Sequence, residues 1–165
     1  MVGSLLAAAA LARAFVFGNY EIPSDSMLPT LHPGDRVFGE KISSKVGAVH
    51  AGDIVTFRDP TDETTVLVKR VIALPGQTVD LKDGRVYVDG ALLHEPYLSA
   101  GKTYPLPSFR RLSYPVSLSE GQVWVMGDNR PHSQDSRVFG PLRMSDLIAR
   151  ITWRYWPTSR VGAVS

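Results

Sequence analysis

The sequence predicts a mostly β protein, and three observations carry this prediction. Twelve prolines and fourteen glycines divide the 165 residues into short segments. Most of these segments are rich in β-branched residues, which favour strands over helices. Hydrophobic residues make up 44% of the chain and charged residues 21%, the composition of an ordinary folded protein. We therefore expect one compact β domain, which we assign to residues 18–165.

The N-terminal residues 1–17 are the exception, because this apolar segment is rich in Ala and Leu and favours helix. The part before Arg13 would span about 18 Å as a helix, against a bilayer core of roughly 30 Å. Three interpretations remain: the outer end of a truncated membrane anchor, a signal peptide, or a packed amphipathic helix. Small-x-small triplets around Ala12 resemble signal-peptide cleavage sites, but no Lys or Arg precedes the apolar run. We favour the truncated anchor.

The remaining elements follow in order along the chain. Prolines bracket IPSDSMLPTLHPGD (22–35), which predicts an exposed irregular loop. Strands are predicted at 36–39, 53–58, 64–74, 78–81, 85–88, 122–126 and 151–156. In 64–74 both the odd and the even positions, which face opposite sides of a strand, are rich in residues that favour β structure. This pattern predicts a strand buried on both faces, or nearly so. Asp83-Gly84 predicts a hairpin turn. Residues 91–119 predict a loop-rich insert or small lobe, and 144–149 a short helix.

Composition excludes several classes of function. The formal net charge is +2 and the basic residues form no stripe, so nucleic acid is not an expected partner. The absence of cysteine excludes disulfides, thiolate zinc sites and a cysteine nucleophile. The four histidines are widely separated and no HExxH pair is present, so we predict neither a metal nor a cofactor.

Three polar islands could carry chemistry: residues 24–31 (SDSMLPTL), Lys69-Arg70 inside the apolar strand, and residues 127–137 (GDNRPHSQDSR). Serines in a loop such as Ser26 usually only form turns. Lys69 is more unusual, because lysine is almost never fully buried unless it is paired or functional. A lysine at the edge of a sheet could also extend its amine to water.

Burial of Lys69 would make it a base, because desolvation lowers the pKa of an ammonium group. From an ordinary value near 10.4, a decrease of roughly three units is needed for a useful neutral fraction at pH 7.4. A neutral amine near Ser26 could then take the hydroxyl proton. The rival base is His132, with Asp128 or Asp135 as its orienting carboxylate. Spacing along the chain leaves both alternatives open.

Taken together, the islands resemble those of type I signal peptidases, the bacterial membrane enzymes that remove signal peptides from exported preproteins. IPSDSMLPTL resembles the family's nucleophile segment, GDIVTF and VKRVIALPG the segments leading to and holding the base, and GDNRPHSQDSR its late signature. The resemblance covers residues 12–157. It implies the signal-peptidase/LexA-like β-fold of antiparallel sheets, with a small loop-rich insert and a short N-terminal apolar helix.

The resemblance also implies roles for individual residues. Ser26 would be the nucleophile and Lys69 the general base, which places His132 outside the chemistry. Ser24 would donate to the oxyanion together with the Ser26 backbone N–H, and Ser133 would orient the lysine amine. The supporting ion-pair and loop residues would be Asp128, Arg130, Asp135 and Arg137. Shallow pockets that suit the alanines of an Ala-x-Ala site would be lined by Tyr20, Ile22, Pro23, Met27, Leu31 and Val68.

The same resemblance implies a setting for the enzyme. We expect preprotein signal peptides and the lipid surface as partners, and a monomer on the extracytoplasmic face of the bacterial plasma membrane. Trp153, Tyr155 and Trp156 could lie at headgroup depth or simply pack in the core. Two features depart from the family pattern: Asp25 stands between the two serines, and the N-terminal apolar segment is short.

Two other functions stay open at this stage. A self-cleaving repressor or mutagenesis protein uses related Ser/Lys chemistry, although an apolar segment rather than a DNA-binding domain precedes Ser26. A β-rich extracytoplasmic binding module that has lost catalysis is the non-enzymatic alternative.

Overall fold

The computed structural model describes residues 17–41, 49–99, 102–108 and 111–165. These residues form twelve β-strands: β1 (Phe17–Glu21), β2 (Arg36–Lys41), β3 (Ile54–Asp59), β4 (Asp62–Ala73), β5 (Thr78–Lys82), β6 (Arg85–Val88), β7 (Ala91–Leu92), β8 (Val116–Ser117), β9 (Gln122–Met126), β10 (Leu142–Arg143), β11 (Leu147–Trp156) and β12 (Gly162–Ala163). One α-helical turn, α1, spans Ser136–Phe139, and 3-10 turns span Arg130–His132, Met144–Asp146 and Thr158–Arg160. The mostly β prediction is confirmed.

The strands form two antiparallel sheets. The larger sheet has the order β1-β2-β11-β3-β4-β9-β10, with β12 paired to β11. The smaller sheet has the order β7-β6-β5-β8. It therefore combines the predicted β5–β6 hairpin with two short strands from the predicted insert at 91–119.

The turn chemistry of the sequence explains the β5–β6 hairpin. Lys82 pairs with Arg85, which leaves Asp83 and Gly84 as a two-residue loop. Both loop residues have positive φ, 52° and 73° respectively. Asp-Gly is the dipeptide that adopts this backbone at least cost, because glycine has no Cβ and aspartate tolerates the left-handed region.

The long strand β4 differs along its length. Residues 62–65 are exposed, whereas residues 68–73 are buried between β3 and β9. The prediction of a strand buried on both faces therefore holds only for the second half. Lys69 lies in that buried half, with only 2% of its surface exposed.

Two local predictions were wrong or incomplete. The helix predicted at 144–149 is a single 3-10 turn, and β11 already begins at Leu147. Alternating buried residues from Leu147 to Ile151 show why, since burial with a period of two suits a strand. Strand β1 was not predicted, and it pairs with β2 along Phe17–Glu21.

The N-terminal prediction lies almost entirely outside the described residues, since only Phe17 of the 1–17 segment is described. Within the described parts of the chain, no helix is both long enough and apolar enough to cross a bilayer.

Candidate active site

The loop between β1 and β2 carries Ser26 to the buried half of β4. Lys69 Nζ lies 2.8 Å from Ser26 Oγ and donates a hydrogen bond to it. The amine also donates to the Val68 carbonyl, at 3.0 Å. The two residues are 43 positions apart in the sequence, and both are buried, with 8% of Ser26 and 2% of Lys69 exposed. The structure thus brings the predicted nucleophile and base into direct contact.

Burial gives Lys69 the electrostatic properties of a base. Desolvation lowers the pKa of its ammonium group from the ordinary 10.5 to about 8, although the negative charges of Asp135, Asp59 and Asp128 oppose the decrease. With that pKa, roughly a fifth of the amines are neutral at pH 7.4, compared with about one in a thousand for an exposed lysine. A neutral amine at hydrogen-bond distance can accept the Ser26 proton.

The two other predicted serines, Ser24 and Ser133, differ in their contacts. Ser24 Oγ is 3.2 Å from Ser26 Oγ, beside the predicted nucleophile. Ser133 is buried, but its hydroxyl has no hydrogen-bond partner in the part of the chain that the structure describes. The bond expected from Ser133 to the lysine amine is therefore not formed. The amine donates to Ser26 and to the Val68 carbonyl instead.

Gly127 allows the loop that carries Ser133 to approach Ser26 closely. A Cβ placed on this glycine would overlap Ser133 Oγ and would lie 2.5 Å from the Ser26 carbonyl oxygen. Two bonds secure the same approach: Asn129 N donates to Ser26 O at 3.0 Å, and Asn129 Nδ2 donates to Asp25 O at 3.1 Å. Asn129 was not predicted as a site residue.

Buried ion pairs brace this loop from both ends. Asp135 forms a two-bond pair with Arg137, at 2.9 and 2.8 Å, as the resemblance implied. Asp128 pairs in the same way with Arg70, at 2.9 and 2.7 Å. Arg130 pairs with Glu95 of the insert, at 2.5 Å. Asp128 and Arg130 do support one loop, but through partners that the sequence did not identify.

These pairs bear on the histidine alternative. Asp128 and Asp135 each bind an arginine, so each carboxylate already has a buried cationic partner. His132 is exposed. The group that donates to Ser26 Oγ is the Lys69 amine, so the geometry favours the lysine over the histidine.

An apolar cluster lies beside the serine and the lysine. Ile22, Met27, Leu31 and Val68 pack together with the core residues Val37, Ile54 and Ile151, and Tyr20 packs against them. Five of the six predicted pocket residues therefore meet in one place. Pro23 is exposed instead.

The chain is similar to known proteins over most of its length. Residues 1–156 match the family model described as signal peptidase, peptidase S26. The chain is 44% identical to probable signal peptidase I-1 of Synechocystis sp., covering 95% of this chain and 80% of that protein. It is 37% identical to signal peptidase I of Bacillus caldolyticus, covering 90% and 84% respectively.

A solved structure is similar as well. The crystal structure of a signal peptidase I from Enterococcus faecalis V583 superimposes with a TM-score of 0.55 at 30% identity, and it covers 66% of this chain and 100% of that one.

Proposed function

The chain belongs to the signal peptidase family, peptidase S26, and from this premise we propose that it removes signal peptides from preproteins by Ser26/Lys69 catalysis. The observation that carries the mechanism is the 2.8 Å contact between Lys69 Nζ and Ser26 Oγ. The similarity to signal peptidases across most of the chain supports the peptidase over a self-cleaving repressor or a binding module.

The proposed reaction begins with neutral Lys69. Its amine takes the hydroxyl proton as Ser26 Oγ attacks the scissile carbonyl carbon, which gives a tetrahedral oxyanion. Ser24 Oγ–H and the Ser26 backbone N–H would donate to that oxyanion, a role worth about 3 to 4 kcal/mol in related sites. The Lys69 ammonium then protonates the leaving amine, and the C–N bond breaks. The acyl group stays on Ser26.

Deacylation repeats the same proton transfers with water. Neutral Lys69 takes a proton from the water that attacks the ester carbonyl, and returns it to Ser26 Oγ when the acyl–oxygen bond breaks. Since one amine acts in both halves, no second titrating group is needed. Ser133 would orient the amine during the reaction, since its buried hydroxyl makes no hydrogen bond among the described residues and is available to the amine.

Substrate selection would come from the apolar cluster. We propose that Ile22, Met27, Leu31 and Val68, with Tyr20, form shallow pockets for the small residues of an Ala-x-Ala site, and that Pro23 lies at their rim. A larger side chain would have to displace buried, well-packed groups, which costs typically 1 to 3 kcal/mol. The peptide would bind extended, along a sheet edge.

The proposed location is the extracytoplasmic face of the bacterial plasma membrane, with a preprotein and the lipid surface as partners. The large exposed aromatic residues of β11 support contact with lipid: Trp153 is 45% exposed and Trp156 50% exposed. Because about half of each residue is exposed, these two tryptophans are not packed in the core. Interfacial aromatic residues of this kind lie at headgroup depth in membrane proteins.

Two substitutions test the mechanism directly. Ser26→Ala and Lys69→Met should each abolish cleavage of a preprotein with an Ala-x-Ala site, while circular dichroism and the melting temperature show a folded protein. His132→Ala is the matched control and should cleave at the wild-type rate. Cleavage by Ser26→Ala, or loss of cleavage in folded His132→Ala, would overturn the Ser26/Lys69 mechanism.

A further inference from the structure

Glu95 and Tyr97 connect the insert to the active-site loop. Glu95 Oε1 accepts hydrogen bonds from Arg130 Nη2 at 2.5 Å and from the Tyr97 hydroxyl at 3.0 Å. The side chain of Arg130 is 1% exposed and that of Glu95 10% exposed. Thr103, from the same insert, accepts a further bond from Arg130 Nη1 at 2.8 Å. The insert thus supplies the buried counter-charge for Arg130.

Tyr97 also reaches Arg70 on β4. The Arg70 guanidinium lies over the Tyr97 ring, 3.9 Å from its centroid, and pairs with Asp128. Arg130 Nε donates to the Gly127 carbonyl at 2.9 Å. The contacts therefore run from Asp128 through Arg70, Tyr97, Glu95 and Arg130 back to the 127–130 loop. Two arginines and two carboxylates balance the charge of this buried network.

Both ends of the network are adjacent to the reacting groups. Arg70 directly follows Lys69 in β4, so a fixed guanidinium restrains the strand segment that carries the amine. At the other end, Asn129 stands between Asp128 and Arg130 and holds the carbonyl groups of Asp25 and Ser26. A displacement of the 127–130 loop would therefore move Ser26 relative to Lys69.

We propose that Glu95 and Tyr97 are positioning residues: the insert holds the 127–130 loop and the Lys69 segment of β4 at the separation that the Ser26–Lys69 contact requires. The expected effect of this positioning on catalysis rests on the proposed function. The physical reason is that removing one partner of a buried ion pair leaves an uncompensated charge, and the loop must then move to solvate it. Small errors of position at a reacting group lower the rate far more than they lower binding.

The first test measures geometry and needs no activity. Glu95→Gln removes the charge with little change of shape, and Glu120→Gln in the exposed turn before β9 is the matched control. We expect the Asn129 amide, which donates to Ser26 O, to exchange its hydrogen at least tenfold faster in Glu95→Gln. The Ala149 amide, buried in β11 and not paired with β4, should be unchanged. An unchanged Asn129 exchange rate in Glu95→Gln would overturn the proposal.

The second test separates positioning from general stability. At a temperature where every variant is folded, Glu95→Gln and Tyr97→Leu should lower kcat at least tenfold, with KM within about twofold of wild type. Tyr97→Phe keeps the ring over Arg70 and should recover most of the kcat lost in Tyr97→Leu. Tyr87→Leu, on β6 of the small sheet, is the control and should keep the wild-type kcat. A lower melting temperature with wild-type kcat, or a change in KM alone, would contradict the proposal.

A double-substitution experiment tests whether Glu95 affects kcat through Arg130. If Glu95 acts through Arg130, combining Glu95→Gln with Arg130→Gln should lower kcat little more than Arg130→Gln alone. Multiplicative losses would contradict that route. Failure of the proposed function is distinguishable, since a wild-type chain that cleaves no preprotein would still show the response of the Asn129 amide to Glu95→Gln.

Discussion

At the scale of single residues, the feature that makes Lys69 useful is also unfavourable for folding. An ammonium group buried in an apolar strand loses its hydration. Because the neutral amine loses less hydration energy than the charged ammonium group, the pKa falls. Three carboxylates in the surroundings keep the decrease moderate, which leaves the pKa at about 8. The amine is therefore neutral often enough to act as a base, and remains basic enough to take the serine proton.

This pKa predicts the pH dependence of the reaction. In the proposed mechanism the active form is the neutral amine, so kcat/KM should rise about tenfold per pH unit below pH 8 and level off above it. The measurement is cleavage of a peptide substrate from pH 5.5 to 9.5. A profile with no ascending limb near pH 8 would contradict Lys69 as the base.

Gly127 gives a second prediction at this scale. A methyl group at this position would meet Ser133 Oγ and the Ser26 carbonyl oxygen, which is backbone and cannot rotate away. Gly127→Ala should lower kcat at least a hundredfold, because the 127–130 loop must move back from Ser26. Gly162→Ala is the control, since a Cβ there meets nothing within 4 Å. Wild-type kcat in Gly127→Ala would show that this close approach is unimportant.

At the scale of elements, the loop that carries Ser26 is held where it rejoins the sheet. Asp35 is fully buried and accepts bonds from Arg160 Nη2 at 2.5 Å and Arg154 Nη1 at 3.2 Å. Arg154 also donates to the Thr30 carbonyl at 3.0 Å, within the same loop. Residues from β11 and from the turn after it therefore stabilise a loop more than a hundred positions earlier in the chain.

Replacement of Asp35 tests this stabilisation. Asp35→Asn leaves two arginines without their carboxylate, and we expect the free energy of unfolding to fall by about 3 to 5 kcal/mol. Urea denaturation followed by fluorescence measures the change. Arg143→Gln, which removes an exposed pair with Asp146, is the control and should cost about 1 kcal/mol or less. Equal effects of the two substitutions would show that the Asp35 network contributes little.

At the scale of the whole molecule, the two sheets have different tasks. The larger sheet carries Lys69 and, through the β1–β2 loop, Ser26. The smaller sheet belongs with the insert, whose Glu95 binds Arg130 of the active-site loop and whose Tyr97 ring lies against Arg70 of β4. One apolar cluster joins the two sheets, since it combines Ile72 and Trp124 of the larger sheet with Val79 and Val86 of the smaller one. The buried Arg130–Glu95 pair lies at the contact between insert and loop.

The exposed aromatic residues of β11 allow a test of the proposed membrane contact. Replacing Trp153 and Trp156 by serine should weaken binding of the full chain to anionic lipid vesicles at least threefold, because the indole rings lose their place among the headgroups. Vesicle cosedimentation measures the binding. Leu92→Ser, an equally exposed apolar residue on the small sheet, is the control. Unchanged binding of the tryptophan variant would contradict this orientation.

The sequence by itself determined seven of the twelve described strands, the hairpin turn and the unusual position of Lys69. These are local signals: alternation with a period of two, an Asp-Gly pair, and a lysine inside an apolar run. The family resemblance chose Lys69 over His132, a choice that spacing along the chain could not make. Where the alternation was weak or the element short, as in β1 and the turn at 144–146, the local signals failed.

Only the tertiary structure decided which groups are partners. The pairs Arg70 with Asp128 and Glu95 with Arg130 join residues 58 and 35 positions apart, and no local pattern specifies such contacts. Ser133 Oγ was expected to bind the lysine amine, yet the folded loop leaves it unpaired among the described residues. The pKa of Lys69 likewise depends on what surrounds it in space. Burial and charge are properties of the assembled sheets, so they become definite only when distant segments pack together.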